Sequence, residues 1–491
     1  MTIGEVFAGV SLKANLAPDL AVLQVRGIEY DSRRVGEGYL FFAFEGQHAD
    51  GRRFAADAIG RGAVAVVSQS PRPEGFAGAW IEVEHGRRAL ALAARNFYGK
   101  PDERIAMTGI TGTNGKTTTG YLVDSVLRAA GKTTALIGTI EYHLGSRVLP
   151  AVNTTPESLD LCRLLTELEG IGGTHLTMEV SSHALALGRV YGLQFHTAIF
   201  TNLTRDHLDF HSTMEEYFLA KQRLFEGAGA PPPRFAVLNR DDTYASRIAA
   251  SGSEVLWYGI SKGATVRATD ISATIDGLRF TVEYGEARFP IESTLMGRIN
   301  VYNILGACAA GFSYGLSPHT VAKGVADCRA VPGRFERVDE GQPFAVVVDY
   351  AHTDDALRNT IAIARELKPN RIITIFGCGG DRDRTKRPLM GQAAAEKSDF
   401  VILTSDNPRS EDPLAIMNDA LVGIRRYDTP HLIEVDRAKA IRRGIEEAQA
   451  GDVVIIAGKG HEPYQILNEG TIPFDDRVVA RQLLHSFGYR K

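Results

Sequence analysis

The strongest guide to the fold is the stretch Gly109-Ile110-Thr111-Gly112-Thr113-Asn114-Gly115-Lys116-Thr117-Thr118. It follows a short apolar run, 104–110, and precedes a helical pattern that starts near residue 118. A strand, a glycine-rich turn, Lys-Thr and a helix in this order are typical of a phosphate-binding loop. Its glycines let backbone amides surround phosphate oxygens, and the helix N-terminus adds partial positive charge. The spacing departs from GxxxxGK[ST], since Gly109 lies one residue too far from Gly115. The alternative is a tight turn with an exposed lysine.

Outward from this loop, short apolar runs alternate with helical patterns. Such alternation predicts an α/β protein with a mostly parallel, doubly wound sheet. The central sheet is therefore expected to be of the P-loop type, and a second series predicts a Rossmann-like C-terminal α/β domain. The predicted strands are 104–110, 133–137, 175–180, 197–200 and 234–238 in the first series, and 344–348, 371–376, 400–404 and 452–457 in the second.

Two breaks divide the chain into three predicted domains. A helix predicted over 87–98 ends at Gly99-Lys100-Pro101, and a second break lies at Val331-Pro332-Gly333. The predicted domains are 1–100, 101–332 and 333–491, which agrees with the size of ordinary domains in a chain of 491 residues.

The composition excludes several classes of protein. The net charge is −4 with 23% charged residues, so neither nucleic acid nor an anionic membrane is an expected partner. No apolar run is long enough to span a bilayer, and MTIGEVFAGVSLKANL lacks the features of an export signal. The four cysteines form no CxxC pair, so neither a zinc site nor a disulfide framework is predicted. We expect a reduced, cytoplasmic protein.

Polar clusters at 178–183 and 201–209 follow two strands of the predicted central sheet. Ligands of open α/β sheets bind beyond the carboxyl ends of the strands, so both clusters are expected near the phosphate loop. Lys116 would reach the terminal phosphates. Magnesium prefers oxygen, which favours Thr117 and Glu179 over His207 as its ligands. Lys221 lies on a helical pattern whose periodicity alone predicts a solvated lysine.

Ten motifs occur in a fixed order along almost the whole chain. They are GTNGKTT at 112–118, NTTP at 153–156, MEVSSH at 178–183, FTNLTRDHLDFH at 200–211, GRINVYN at 297–303, PGRFE at 332–336, DYAHTDDAL at 349–357, FGCGGDRDRTKRP at 376–388, TSDNPRSEDP at 404–413 and GKGHEPYQ at 458–465. This series resembles the Mur ligase family. The family's own phosphate loop has the TGTNGKT form, which accounts for the unusual spacing.

The resemblance implies a domain for the UDP group, a central ATPase domain and a C-terminal domain for the incoming amino acid. The residues that match contacts to the UDP-linked substrate are Tyr30, Asp31, Ser32, Gln47, His48 and Ala49 for the uridine end, and Asn153, Thr154, Thr155, Ser181 and Arg189 for the muramoyl-dipeptide end. The family often has a polar residue two positions before this arginine, where the present chain has Leu187.

The resemblance also implies the nucleotide and metal sites. Residues matching ATP contacts are Gly112, Thr113, Asn114, Gly115, Lys116, Thr117, Thr118, Asn303, Arg334, Asp349 and His352. Lys221 matches a lysine that is carbamylated in the family. Carbamylation would turn a cation into an oxygen ligand for Mg²⁺, so the resemblance contradicts the prediction of a solvated lysine. Thr117, Glu179 and His207 match the other metal ligands, and Lys116, Lys221 and His207 match catalytic positions.

For the amino-acid site, the matching residues are Arg382, Asp406, Asn407, Pro408, Arg409, Gly458 and Glu462. Arginine clamps a carboxylate through two parallel hydrogen bonds, and meso-diaminopimelate differs from lysine by one distal carboxylate. The resemblance therefore implies a magnesium- and ATP-dependent ligase of peptidoglycan precursor synthesis. It would add meso-diaminopimelate to a UDP-muramoyl dipeptide through an acyl phosphate. A monomer is expected.

Three other interpretations remain open at this point. A related ligase could add lysine, although Arg409 is a feature against it. A folylpolyglutamate synthase is also related, but the 31–33 region and the DNPR motif favour the cell-wall substrate. A P-loop regulator without ligase chemistry would leave NTTP, DNPR and GKGHE unexplained.

Overall fold

The computed structural model describes residues 1–46 and 50–491. The chain forms two compact units. The first contains Met1–Arg267, Glu283–Ala287 and Tyr302–Gly324, and the second contains Ala268–Val282, Arg288–Val301 and Val325–Lys491. No helix in the described part of the chain has the length and apolar character needed to cross a membrane.

The N-terminal part of the first unit is a small parallel sheet with helices on it. Its elements are α1 (Ile3–Val6), α2 (Pro18–Ala21), β1 (Gly27–Glu29), β2 (Tyr39–Phe42), α3 (Ala55–Gly60), β3 (Ala65–Ser68), β4 (Trp80–Glu82) and α4 (Gly86–Phe97). The strand order is β1-β2-β3-β4, and all pairings are parallel. Leu40 and Phe42 face one apolar core while Phe41 faces another, as the alternation of side chains along a strand requires.

The middle of the chain carries most of the elements around the phosphate loop. These are β5 (Ala106–Thr111), α5 (Lys116–Ala129), β6 (Thr134–Ile137), β7 (Glu141–Leu144), β8 (Arg147–Pro150), α6 (Ser158–Gly170), β9 (His175–Glu179), α7 (Ser182–Leu187), β10 (Thr197–Phe200), α8 (Leu208–His211), α9 (Met214–Glu226), β11 (Phe235–Asn239), β12 (Glu254–Gly259), β13 (Val266–Thr274), β14 (Gly277–Tyr284), β15 (Ala287–Ser293), α10 (Ile299–Ser313) and α11 (Pro318–Asp327).

The central sheet has eleven strands in the order β15-β14-β13-β12-β11-β10-β5-β9-β6-β7-β8. From β12 to β6 the pairings are parallel, and β7 and β8 add an antiparallel edge. Strand β5 lies between β10 and β9, with Gly109 opposite Ala198 and Met178. The loop after β5 therefore begins beside the loops after both neighbouring strands.

The C-terminal part of the second unit is a separate α/β layer structure. Its elements are β16 (Glu336–Val338), β17 (Ala345–Asp349), α12 (Asp354–Glu366), β18 (Ile372–Phe376), α13 (Lys386–Lys397), β19 (Phe400–Leu403), α14 (Pro413–Ile424), β20 (His431–Ile433), α15 (Arg437–Glu447), β21 (Val453–Ala457), β22 (Tyr464–Leu467), β23 (Gly470–Pro473) and α16 (Asp476–Ser486).

Six of these strands form a sheet in the order β16-β17-β21-β18-β19-β20, parallel except for β16. Apolar side chains of β17, β18, β19 and β21 are buried on both faces in two separate cores. Burial on both faces explains why these strands are continuous apolar runs rather than alternating ones. Strands β22 and β23 form a hairpin of their own.

The predicted fold class is confirmed, including the mostly parallel central sheet and the C-terminal α/β layers. The helix predicted to start near residue 118 begins at Lys116, because Gly115 in the left-handed region already ends the turn. The domain limits 1–100, 101–332 and 333–491 remain predictions.

Candidate active site

The phosphate loop joins β5 to α5 and depends on two glycines with positive φ. Gly112 has φ 145° and Gly115 has φ 85°, backbone conformations that side chains rarely allow. A Cβ atom at Gly112 would collide with the Thr201 hydroxyl, and one at Gly115 would collide with the Asn303 amide oxygen. Glycine is therefore required at both positions for the loop to keep this curve.

The segment after β10 holds the phosphate loop in shape. The Asn202 side chain accepts a hydrogen bond from the Asn114 backbone N–H at 3.0 Å and donates one to the Asn114 carbonyl at 3.1 Å. The Thr201 hydroxyl donates to the same carbonyl at 2.7 Å, and the Thr113 hydroxyl accepts from the Thr204 N–H at 3.0 Å. The sequence predicts that the cluster at 201–209 lies near the phosphate loop but predicts no individual role for Thr201, Asn202 or Thr204. The pairing of β10 with β5 in the structure identifies the residues that contact the loop.

Two lysines converge on one carbonyl of the loop. Lys116 Nζ donates to the Gly112 carbonyl at 3.0 Å and to the Thr113 carbonyl at 2.8 Å. Lys221 Nζ, on α9, also donates to the Gly112 carbonyl, at 2.8 Å. The amino groups of two lysines therefore meet at the phosphate loop.

Lys221 is not solvated. Its side chain is only 2% exposed and lies over the Tyr217 ring, with Nζ 4.4 Å from the centroid. Burial, reinforced by the Lys116 charge, lowers the pKa of Lys221 well below its usual value. The prediction of an exposed lysine from periodicity is wrong, because α9 turns this face toward the phosphate loop.

Glu179 and Thr117 supply oxygen atoms near the loop. Glu179 ends β9 and is buried, and its carboxylate accepts hydrogen bonds from the Thr139 N–H at 2.9 Å and the Thr139 hydroxyl at 3.2 Å. Thr117 lies, also buried, in the first turn of α5. Within residues 1–46 and 50–491, no three His, Cys, Asp or Glu side chains form a ready metal cage. One carboxylate and one hydroxyl fit Mg²⁺, which commonly completes its shell with phosphate and water.

His207 lies in a strained position beside other rings. Its backbone is left-handed, with φ 52°. Its ring lies 4.9 Å from the ring of His183 and 5.9 Å from that of Tyr217, centroid to centroid. Burial lowers the pKa of His207, which favours the neutral ring that can act as a ligand. Strain of this kind is concentrated at functional sites.

The residues matched to the muramoyl-dipeptide end form one hydrogen-bonded group. The Thr155 hydroxyl donates to the Glu179 carbonyl at 2.9 Å and accepts from the Ser181 N–H at 3.1 Å. Arg189 donates to the Thr155 carbonyl at 2.9 Å and pairs with Glu157 at 3.0 Å.

The two other matched residues also have partners: the Thr154 hydroxyl lies 3.1 Å from that of Thr139, and the Asn153 carbonyl accepts from the Tyr142 hydroxyl. Leu187 is the last residue of α7 and contributes no polar group here.

At the uridine end, the structure describes only part of the predicted set. The Tyr30 hydroxyl donates to Asp160 at 2.5 Å, and Ser32 is buried at the start of a 3-10 turn that Asp31 caps. Gln47, His48 and Ala49 lie outside the described residues.

In the second unit, three residues match nucleotide contacts: Arg334 precedes β16, Asp349 ends β17, and His352 follows it. Asp349 accepts hydrogen bonds from the backbone N–H groups of Phe335 and Ala351, at 2.7 and 3.0 Å. Burial raises the pKa of Asp349, although the Arg334 charge opposes the shift. Arg334 lies over the Tyr350 ring at 4.9 Å, and the His352 ring lies 4.6 Å from the same ring.

The residues matched to the amino-acid site lie on the loops that follow β18, β19 and β21. Arg409 has φ 54° and donates to the Gly380 carbonyl at 2.8 Å. Asn407 donates to Glu462 at 2.9 Å. A Cβ atom at Gly458 would collide with the Asp406 carboxylate, so the two loops approach closely. Pro408 is buried between these residues, and Arg382 is exposed on the loop after β18.

Lys459 is a further residue of this region that was not predicted from the sequence. Lys459 is fully buried and donates to the Asn407 amide oxygen at 3.1 Å and to Glu462 at 3.2 Å. Its position between two motif glycines could have drawn attention to it. Two residues matched to the amino-acid and nucleotide sites also share a backbone bond, since the Gly458 N–H donates to the Asp349 carbonyl at 3.1 Å.

Comparison with known proteins agrees with this arrangement. Three family models match: the Mur ligase family catalytic domain over residues 24–98, the Mur ligase middle domain over 110–311, and the Mur ligase glutamate ligase domain over 333–460.

Relatives match over the full length of the chain. A UDP-N-acetylmuramoyl-L-alanyl-D-glutamate–2,6-diaminopimelate ligase of Solibacter usitatus is 68% identical and covers 100% of both chains. Its namesake in Geobacillus thermodenitrificans is 48% identical and covers 94% of both. A solved structure with this ligase name has a TM-score of 0.72 at 33% identity, covering 99% of both chains. The chain therefore belongs to the Mur ligase family of ATP-dependent ligases that form amide bonds.

Proposed function

We propose that this chain joins meso-diaminopimelate to the D-glutamate of UDP-N-acetylmuramoyl-L-alanyl-D-glutamate, with ATP, in peptidoglycan precursor synthesis. The names of the full-length relatives support this substrate set. The observation that carries the choice of amino acid is Arg409, whose guanidinium is oriented by the Gly380 carbonyl. Asn407, in the same loop, donates to Glu462. A planar guanidinium and a carboxylate suit the distal carboxylate and the ammonium of diaminopimelate, respectively.

The reaction needs activation because a carboxylate is a poor electrophile. An oxygen of the D-glutamate carboxylate attacks the γ-phosphorus of ATP, ADP leaves, and an acyl phosphate forms. The amino group then attacks the acyl carbon, loses its proton, and inorganic phosphate leaves. The protein mainly positions the reactants and neutralises charge. The loop amides and Lys116 would bind the phosphates, and Arg189 with Thr155 and Ser181 would orient the carboxylate end.

Lys221 has the chemistry that a carbamate requires. A neutral amine, favoured here by the lowered pKa, attacks carbon dioxide and releases one proton to give a carbamate anion. With this modification, Lys221 would join Thr117, Glu179 and His207 as ligands for Mg²⁺. The bound cation would supply positive charge to offset that on the transferred phosphoryl group.

A direct assay tests the proposal. Purified protein, ATP, magnesium and the UDP-muramoyl dipeptide are incubated with a panel of amino acids, and the products are read by mass. We expect a tripeptide product with meso-diaminopimelate and phosphate release that depends on both substrates. Tripeptide formed with lysine in preference would identify the lysine-adding alternative. ATP hydrolysis that never joins the two halves would support the regulator instead.

The remaining expectations belong to the same proposal. A ligase with these small-molecule substrates would work in the cytoplasm as a monomer, without nucleic acid or membrane as partners. Sedimentation of the purified protein with and without its substrates tests the oligomeric state.

A further inference from the structure

Lys459 is held in place by its neighbours in the chain. It follows β21 between Gly458, with φ 115°, and Gly460, with φ 53°. A Cβ atom at Gly458 would collide with the Asp406 carboxylate, and one at Gly460 would lie 2.7 Å from the Tyr350 Cβ. Both glycines are therefore required for the loop to pass this close to its neighbours. The tight loop directs the intervening lysine inward, and its side chain is 0% exposed.

The buried ammonium closes a small hydrogen-bonded network. Lys459 Nζ donates to Asn407 Oδ1 at 3.1 Å and to Glu462 Oε2 at 3.2 Å. Asn407 Nδ2 donates to the same Glu462 oxygen at 2.9 Å, and Asn407 Oδ1 also accepts from the Ile466 N–H at 2.9 Å. Lys459 thus contacts both of the other side chains, and the backbone of Ile466 adds a further bond to Asn407.

This network determines which atoms face an incoming ligand. Glu462 Oε2 accepts two hydrogen bonds, and its side chain is still 18% exposed. Both donors bind Oε2, and within the part of the chain that the structure describes no hydrogen bond is made to the other oxygen, Oε1. A carboxylate held through one oxygen presents the second in a fixed direction, which reduces the ordering that binding must otherwise supply.

We propose that Lys459 is a positioning residue for the incoming amino acid: it holds Asn407 and Glu462 as one rigid unit, so that the free oxygen of Glu462 meets the ammonium of the substrate. This inference rests on the proposed function. Without Lys459, Glu462 would keep only the Asn407 bond and would rotate about it. Affinity for the amino acid would fall, while the sites for ATP and the UDP-linked substrate would be unaffected.

The test compares Lys459→Met with a control variant by steady-state kinetics. Lys459→Met keeps most of the length and the apolar stem of the side chain but removes its donors. We expect KM for meso-diaminopimelate to rise about 10- to 100-fold, because this factor corresponds to the loss of one charge-assisted hydrogen bond. KM for ATP and for the UDP-muramoyl dipeptide should stay within about twofold. Lys439→Met, an exposed lysine on α15, is the matched control and should change none of the three.

A double variant separates positioning from general stability. If Lys459 acts through Glu462, adding Lys459→Met to Glu462→Gln should raise KM for the amino acid by less than about threefold. An equal rise on both backgrounds, an unchanged KM, or a similar rise for all three substrates would overturn the proposal. Should Lys459→Met fail to fold, the double variant, which removes both charges, is compared with Glu462→Gln alone. Failure of the wild-type enzyme to use diaminopimelate would instead refute the proposed function.

Discussion

Replacing Arg409 with alanine is the sharpest test of the amino-acid specificity. Arg409 follows the buried Pro408, and one terminal nitrogen of its guanidinium donates to the Gly380 carbonyl at 2.8 Å. The same nitrogen lies 3.4 Å from the Asn407 carbonyl. These contacts orient the planar group and leave its other N–H groups to bind a carboxylate. Alanine removes the fork without touching the phosphate loop.

The expected loss follows from the bonds that disappear. A hydrogen bond to a charged group contributes about 1.5–3 kcal/mol, and the half-buried position of Arg409 favours the lower part of that range. One or two such bonds to the distal carboxylate amount to about 2–4 kcal/mol. The predicted fall in kcat/KM for meso-diaminopimelate is therefore about 30- to 1,000-fold. For lysine, which lacks this carboxylate, the change should stay below about threefold.

Two further variants make the assay specific. Arg409→Lys keeps a positive charge but not the fork, so its kcat/KM should lie between those of wild type and alanine. The backbone cost of φ 54° is similar in all three, since each residue carries a Cβ atom. Arg442→Ala, on the exposed face of α15, controls for loss of a surface arginine. Kinetics are followed by phosphate release, with products identified by mass.

The outcome that refutes the clamp is a kcat/KM for diaminopimelate within threefold of wild type in Arg409→Ala. An equal loss with lysine and with diaminopimelate would also contradict it, because the arginine would then support the loop rather than recognise the distal carboxylate. Binding of the UDP-muramoyl dipeptide, measured by calorimetry, should be unchanged in every variant.

Three other perturbations have defined outcomes. Lys221→Met should lower ligase activity at least about 100-fold. Wild-type activity should fall in bicarbonate-free buffer and return when labelled bicarbonate is added, with a carbamate signal in the carbon NMR spectrum. Activity that does not depend on bicarbonate would argue against the carbamate. Arg437→Met should destabilise the fold by about 3–5 kcal/mol in urea titrations, because it leaves the fully buried Asp476 without its charge partner at 2.7 Å, whereas a double Arg437→Met/Asp476→Leu variant should recover most of the loss. Burial lowers the pKa of His175 to about 4, so on acidification the unfolded chain binds a proton at this residue before the folded chain does. The free energy of unfolding should therefore fall as pH drops from about 6.5 to about 4. His175→Phe should flatten that fall by up to about 3 kcal/mol, and an unaltered pH profile would contradict the assignment.

The nine strands predicted from the sequence are all present, because nearly all of their residues are buried and form continuous apolar runs. The run at 197–200 is a strand with these limits, and the run at 452–457 becomes Val453–Ala457. Strands that are partly exposed are harder to predict. The edge strand Arg147–Pro150 and the hairpin Tyr464–Leu467 with Gly470–Pro473 have few buried side chains, so no apolar run marks them.

For the candidate site, local patterns identify loops but not the contacts between them. Gly112 and Gly115 are recognisable because positive φ is a property of one residue. The environment of Lys221 is not, because its burial depends on Gly112, more than a hundred positions away in the chain. The environment of Lys459 cannot be predicted for the same reason. Asn407 and Glu462 contact it only once folding brings the carboxyl ends of β19 and β21 to the same side of their sheet.

The double hydrogen bond between Asn202 and the backbone of Asn114 has a thermodynamic consequence. A loop that is already curved has little conformational entropy left to lose when a polyphosphate arrives. Nucleotide should then associate rapidly, and ordering of the loop should contribute little to the heat measured on binding. Asn202→Ala would return that entropy to the free protein, so weaker nucleotide binding would come with a more unfavourable entropy change, although residue 202 need never contact the phosphates.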